Sequence, residues 1–213
     1  KQETVPIYKN ITQINQVLKH KVDSNQLDSL YLQALQLPLD TAQIEVLLNI
    51  YIKSIKVRPI RNDILDTALY KAKSIDYKKG IATAYDKKGL NLRYKLEYQR
   101  SVDYHKLALE FFRQTTDTIG TIKCLNSLGV SLRRLNFERE AINYYLEALN
   151  LSKEINEIKS IAVALNGIGN VFVNIGQYEK AMPYFKEALA LEKINGNQRG
   201  INYDLSNIGE AFM

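Results

Sequence analysis

The sequence has no tryptophan, one cysteine, two histidines and four prolines in 213 residues. A lone thiol, Cys124, cannot close an internal disulfide, and two histidines do not build a typical metal set, so neither staple is expected here. The redox compartment stays open. Gly/Ser-rich and Pro-rich tracts are missing, which excludes collagen-like and low-complexity organisation. No apolar run approaches the roughly 18 residues of a membrane helix, and the opening Lys1-Gln2-Glu3-Thr4 is no signal segment. A phosphate-cradling Gly-Lys motif is also missing. Neither an enzyme nor a cofactor is therefore expected from these residues.

What is present suits a folded chain: 46% hydrophobic and 24% charged residues in 24.4 kDa, enough for one or two domains or for an elongated array of small units. The net charge of +6 is uneven. Residues 53–100 hold 13 basic and 5 acidic side chains, a local +8 that leaves −2 for the rest.

Two columns of glycine recur at one period. Gly89, Gly129, Gly169 and Gly209 are 40 residues apart, as are Gly80, Gly120 and, after Ser160, Gly200. An alanine column, Ala68, Ala108, Ala148 and Ala188, runs beside them. Within a period the apolar spacing is helical: Ile161, Leu165, Ile168, Phe172 and Ile175, a break at Gly176-Gln177, then Ala181, Phe185, Ala188 and Leu189. Each period is thus a helical hairpin, and no strand-like alternation occurs. The pattern predicts helices over 41–56, 62–75, 80–94, 98–114, 120–134, 138–154, 160–175, 178–194 and 200–213, with two more before Pro38 marked by Ile11, Ile14 and Leu18, then Leu27, Leu30, Tyr31, Ala34 and Leu35. A mid-helix glycine costs about 1 kcal/mol against alanine, so its recurrence implies close approach by the partner helix.

The run Leu165-Asn166-Gly167-Ile168-Gly169 with Phe172, Tyr178, Ala181, Phe185 and Ala188 resembles a tetratricopeptide repeat (TPR), and Leu125 to Ala148 matches nearly as well. The period is similar to the long-helix form of that repeat. The resemblance implies an all-α, right-handed solenoid of TPR hairpins. Its units are 41–79, 80–119, 120–159 and 160–199, plus an unpaired first helix 200–213; residues 1–38 are a cap or a degenerate repeat. Lacking an initiating Met and a partner for the last helix, the chain is expected to be part of a longer protein.

For chemistry the residues offer little. Ser101, Asp103 and His105 are two apart on a helix and point to different faces, which rules out a triad. His105 shares its column with Tyr145 and Phe185 and is read as a packing residue, and Cys124 as a buried small hydrophobe. Interleaved Tyr70, Tyr77, Tyr85, Tyr94 and Tyr98 in the basic 53–100 stretch keep a nucleic-acid reading open as an alternative. Ile201, Leu205, Ile208 and Phe212 form an apolar stripe on the last helix that suits self-association.

The resemblance further implies that the first helices line a concave groove. Its expected contacts are Lys53, Arg93, Tyr94, Lys123, Asn126, Arg133, Arg134, Asn166, Asn170 and Asn174. Asparagine can both donate to and accept from an extended backbone, and arginine can hold a carboxylate in two bonds. The expected role is non-catalytic recognition of a peptide or protein segment, as in TPR regions of bacterial sensor histidine kinases and transcription regulators. Cytoplasmic and periplasmic settings both stay open.

Overall fold

The computed structural model describes residues 10–57 and 60–211. Among them are eleven helices and no strand. The chain divides into two compact units, Lys1–Lys88 and Gly89–Met213, with the boundary inside one helix.

The first unit holds α1 (Ile11–Val17), α2 (Ser24–Leu35), α3 (Thr41–Ser54), α4 (Asn62–Ser74) and the start of α5 (Lys78–Tyr94). The two helices expected before Pro38 are α1 and α2. Side-chain caps begin the first three helices: Asn10, Asp23 and Asp40 accept from the third backbone N–H beyond them, and Gln26 returns the bond to Asp23. α1 packs on both α2 and α3, and α2 packs on α3. Ile14, Leu27, Leu30, Ile44, Leu47, Tyr51 and Ile64 form the core. Gln43 is wholly buried, and its amide donates to the carbonyls of Ala34 and Leu37, both at 2.9 Å, closing the α2–α3 turn.

The second unit continues from the end of α5 through α6 (Tyr98–Phe112), α7 (Thr118–Arg134), α8 (Glu138–Glu154), α9 (Ile158–Asn174), α10 (Tyr178–Ile194) and α11 (Gln198–Ala211). α7 with α8 and α9 with α10 are hairpins; α8 packs on α9 and α10 on α11, while the first helices α7, α9 and α11 meet in sequence. α1, α2 and α3 repeat that contact pattern within the first unit.

The first helices of the hairpins start two residues before the glycine column, not at it as the sequence pattern predicts. Asp117 and Glu157 cap α7 and α9 by accepting from Gly120 N and Ser160 N, so the column sits in the first helical turn. Small residues belong there because the preceding second helix delivers a side chain onto the same spot. Phe112 lies against Gly120, and the Glu192 carboxyl lies against Gly200.

The other glycine column receives rings. A Cβ at Gly89 would stand 2.8 Å from the His105 imidazole, one at Gly129 2.6 Å from Tyr145, and one at Gly169 2.5 Å from Phe185. His105, Tyr145 and Phe185 are all buried, as are Ala68, Ala108, Ala148 and Ala188. His105 is a packing residue, as its column indicates. Ser101 bonds the Ser131 hydroxyl at 3.0 Å, and the Cys124 thiol is buried and donates to the His105 carbonyl at 3.1 Å.

Most helix ends use a left-handed residue at 20-residue spacing: Asp76, Leu96, Asn136, Asn156, Gly176 and Gly196 have φ between 52° and 71°. The next N–H reaches back over the turn, as from Glu97 to Leu92 O and from Gln177 to Phe172 O. Thr116 would be the seventh in the series. Being β-branched, it does not adopt that conformation, and Thr115 Oγ1 instead bonds Phe112 O and takes the Asp117 N–H. Leu96 is the residue least suited to a positive φ, and its side chain is exposed. Leu96→Gly is therefore expected to stabilise the chain by about 1 kcal/mol, measured by urea unfolding; a loss of stability would contradict this account of the turn.

Candidate functional site

In the second unit, the polar faces of α5, α7, α9 and α11 converge around one tyrosine. Tyr145 rises from α8 between α7 and α9, and the ring would overlap a Cβ placed at either Gly129 or Gly167. Its hydroxyl is buried against the Arg133 guanidinium. Burial pushes its pKa up to about 12, against the opposing pull of the Arg133 guanidinium beside it and of the Arg93 charge. Tyr203 also lies within electrostatic reach. Arg133 donates from Nη1 to Asn174 Oδ1 at 3.2 Å, while its buried Nε has no partner. Asn170 donates to the Asn166 carbonyl at 2.8 Å and to the Tyr203 hydroxyl at 3.2 Å. Arg93 sits over the exposed ring of Tyr94, 5.9 Å from its centroid.

Of the residues expected in the groove, Arg133 and Asn174 are bonded to each other, Asn170 lies on the same helix as Asn174, and the Arg93 charge reaches Tyr145, while exposed Lys123 and Arg134 share the helix of Arg133. Asn126 is buried, and its Oδ1 has no partner. One expectation needs correction. Asn166 is not free to clamp a ligand: its Nδ2 donates to Asp204 Oδ1 at 2.6 Å, and its Oδ1 accepts from Asn207 at 3.1 Å, so both ends of the amide join α9 to α11. Lys53 belongs to the first unit, where its ammonium lies 3.4 Å from the His20 carbonyl. One period before Asp204 and Asn207 stand Ala164 and Gly167, which carry no polar side-chain atom. That is why Asn126 is left with an unmatched oxygen where Asn166 is satisfied.

A family model of the tetratricopeptide repeat matches residues 80–154 and 138–193, together more than half of the sequence. The chain belongs to the tetratricopeptide repeat family.

Three solved structures show the same TPR fold. Aspartyl phosphate phosphatase F from Bacillus subtilis is similar at 18% identity and TM-score 0.64, over 87% of this chain and 52% of its own. BtubC from P. vanneervenii is similar at 15% and 0.67, over 95% and 78%. The Rap conjugation gene regulator of the plasmid pLS20, solved in complex with the Phr* peptide, is similar at 16% and 0.58, over 94% and 67%. This chain spans about half the length of the first of them. No curated protein matches the sequence at a significant level.

Five of the 13 basic residues in the basic stretch of the TPR chain pair with neighbouring acids. Arg61 pairs with Asp28 and Asp63, Lys78 with Asp76, Lys87 with Asp86, Lys88 with Asp66 and Arg100 with Glu97. The Tyr77 hydroxyl donates to Glu45, and Tyr85 lies under the Lys73 ammonium. On α11, Leu205 is exposed, Ile201 and Ile208 are half-buried, and Phe212 lies outside the described residues.

Tyr145 was missed as a candidate because its column marks it as core. The readable signal is Gly167, a second glycine two residues before the repeat column, which leaves room for the ring between two first helices. Asp204 was missed too. It is wholly buried, and that burial, with the nearby Glu192 charge adding to it, raises its pKa against the bond from Asn166. A carboxyl whose folded pKa lies above its unfolded one carries a stability cost at neutral pH that is relieved as pH falls toward about 3.9, its ordinary unfolded value. Asp204→Asn keeps an acceptor for Asn166 without the charge. The expected result is a higher Tm at pH 7 and little difference near pH 4; equal Tm values at pH 7 would contradict it.

Proposed function

We propose that the second unit is a non-catalytic peptide-recognition module, the interaction region of a larger regulatory protein, with an extended peptide lying across α5, α7, α9 and α11. The observation that carries this reading is a pair of buried polar atoms without partners, Asn126 Oδ1 and Arg133 Nε, on the same helix and beside the buried Tyr145 hydroxyl. An unmatched buried polar group costs about 1–3 kcal/mol, so two among groove residues support a ligand that supplies what the protein does not. Two donors and an acceptor beside the Arg93 charge suit a peptide carbonyl followed by an acidic group. Fold likeness to a regulator solved with the Phr* peptide supports the same ligand class. The bacterial signalling context rests on that likeness alone.

A library of random heptapeptides displayed on phage tests the reading. Selected peptides are expected to bind the 213-residue chain and to lose about tenfold or more in affinity with Arg133→Ala or Asn174→Ala. Asn166→Ala is expected to lower Tm instead, because it cuts the α9–α11 link. Failure to select any peptide, or selection of peptides indifferent to Arg133 and Asn174 in folded variants, would remove the groove as the site.

A further inference from the structure

A second polar feature lies in the first unit. The turn after α1 and the end of α3 enclose a cavity of about 380 Å³ lined by Lys19, His20, Lys21 and Val22 on one side and Lys53, Lys56 and Val57 on the other. No carboxylate lines it. Asp23, next in sequence, is committed to the α2 capping box. Lys53 has only its long contact to the His20 carbonyl, and none of the four lysines forms an ion pair with any described residue.

Lysines at helix C-termini have an ordinary explanation in the helix dipole. Its size does not suffice here. The ends of α1 and α3 together offer at most about one negative charge, and four ammonium groups stand around the cavity. The contrast with the rest of the unit is also chemical. Arg61, Lys78, Lys87 and Lys88 all have carboxylate partners, whereas these four, gathered around one cavity, have no counter-charge among the described residues. Buried Val22 and half-buried Val57 give the cavity apolar walls beneath the cationic rim.

We infer that this cavity is a binding site for a compact, multiply charged oxyanion, an oligophosphate whose phosphates are held by Lys19, Lys21, Lys53 and Lys56 with the His20 ring contributing a donor. Several converging ammonium groups match clustered phosphate better than a single carboxylate, and the volume falls within the range of small-ligand sites. The inference does not depend on the peptide-recognition role proposed for the second unit.

Tripolyphosphate is the probe. Titrated into the full chain at constant ionic strength, it is expected to raise Tm saturably, and isothermal titration is expected to give one site. Lys53→Gln with Lys56→Gln should weaken it at least about tenfold, whereas Lys180→Gln with Lys186→Gln, which removes the same charge from exposed positions in the second unit, should leave the affinity unchanged. Sulfate at matched ionic strength should give no saturable shift. An anionic lipid headgroup offers similar chemistry, so sedimentation with phosphatidylcholine vesicles containing phosphatidic acid is run alongside. Binding to those vesicles without a tripolyphosphate response would overturn the assignment to a free oligophosphate. So would equal weakening by both variant pairs, or no response beyond the salt control.

Discussion

Phe185→Ala is expected to destabilise the chain by about 3–5 kcal/mol, a large part of the 5–15 kcal/mol that holds a typical domain folded. The ring is wholly buried, and its edge rests on the backbone of α9 at Gly169, where no side chain can follow it into the space it vacates. Urea unfolding monitored by helical circular dichroism reads the loss. The pairing can be tested by a second substitution. Gly169→Ala alone should destabilise, since its Cβ would come within 2.5 Å of the ring. In the Phe185→Ala background the same change should become neutral or stabilising, because the clash is gone and the helix propensity of alanine, worth about 1 kcal/mol, remains. Additive effects in the double variant would show that the glycine is not there for the ring.

Gly167→Ala is expected to cost about 1–3 kcal/mol in the same assay, although alanine is the better helix former. Tyr145 is held between Gly129 and Gly167, and the added methyl would overlap its ring from the α9 side. The ring has nowhere to go. Tyr145→Phe should not relieve this clash, because the overlap is with the ring and not with the hydroxyl. Tyr145→Leu should relieve it in part. By itself, Tyr145→Phe is expected to change stability by less than about 1 kcal/mol, since the desolvation of the buried hydroxyl offsets its bond with the Arg133 guanidinium, and to weaken binding of groove-selected peptides. A stable Tyr145→Phe variant that binds those peptides at full affinity would place the ligand away from this hydroxyl.

Much of the fold was readable along the chain because it is local and periodic. α8 and α10 run over the residues their apolar spacing predicts, since a helix face repeats every three to four residues whatever it later packs against. The ring columns were readable for the same reason: His105, Tyr145 and Phe185 each lie 16 residues after a glycine and return to it around one hairpin. Helix starts were less legible. Asp117 and Glu157 extend α7 and α9 by two residues through side-chain caps that the glycine column hides.

The candidate site was legible in part. Arg133 and Asn174, 41 residues apart, meet because repeat geometry carries one face of each first helix to the same side. The sequence by itself determined the repeat length, the hairpins and the residues that must be small. Only the tertiary structure decided what the polar side chains do. Asn126 and Asn166 are equivalent in the repeat, yet one has an unmatched oxygen and the other joins two helices. The difference lies with Asp204 and Asn207, 38 and 41 residues further along, where the previous period has Ala164 and Gly167. A hydrogen bond needs a particular atom at a particular distance, and periodicity supplies the distance without saying which atom stands there.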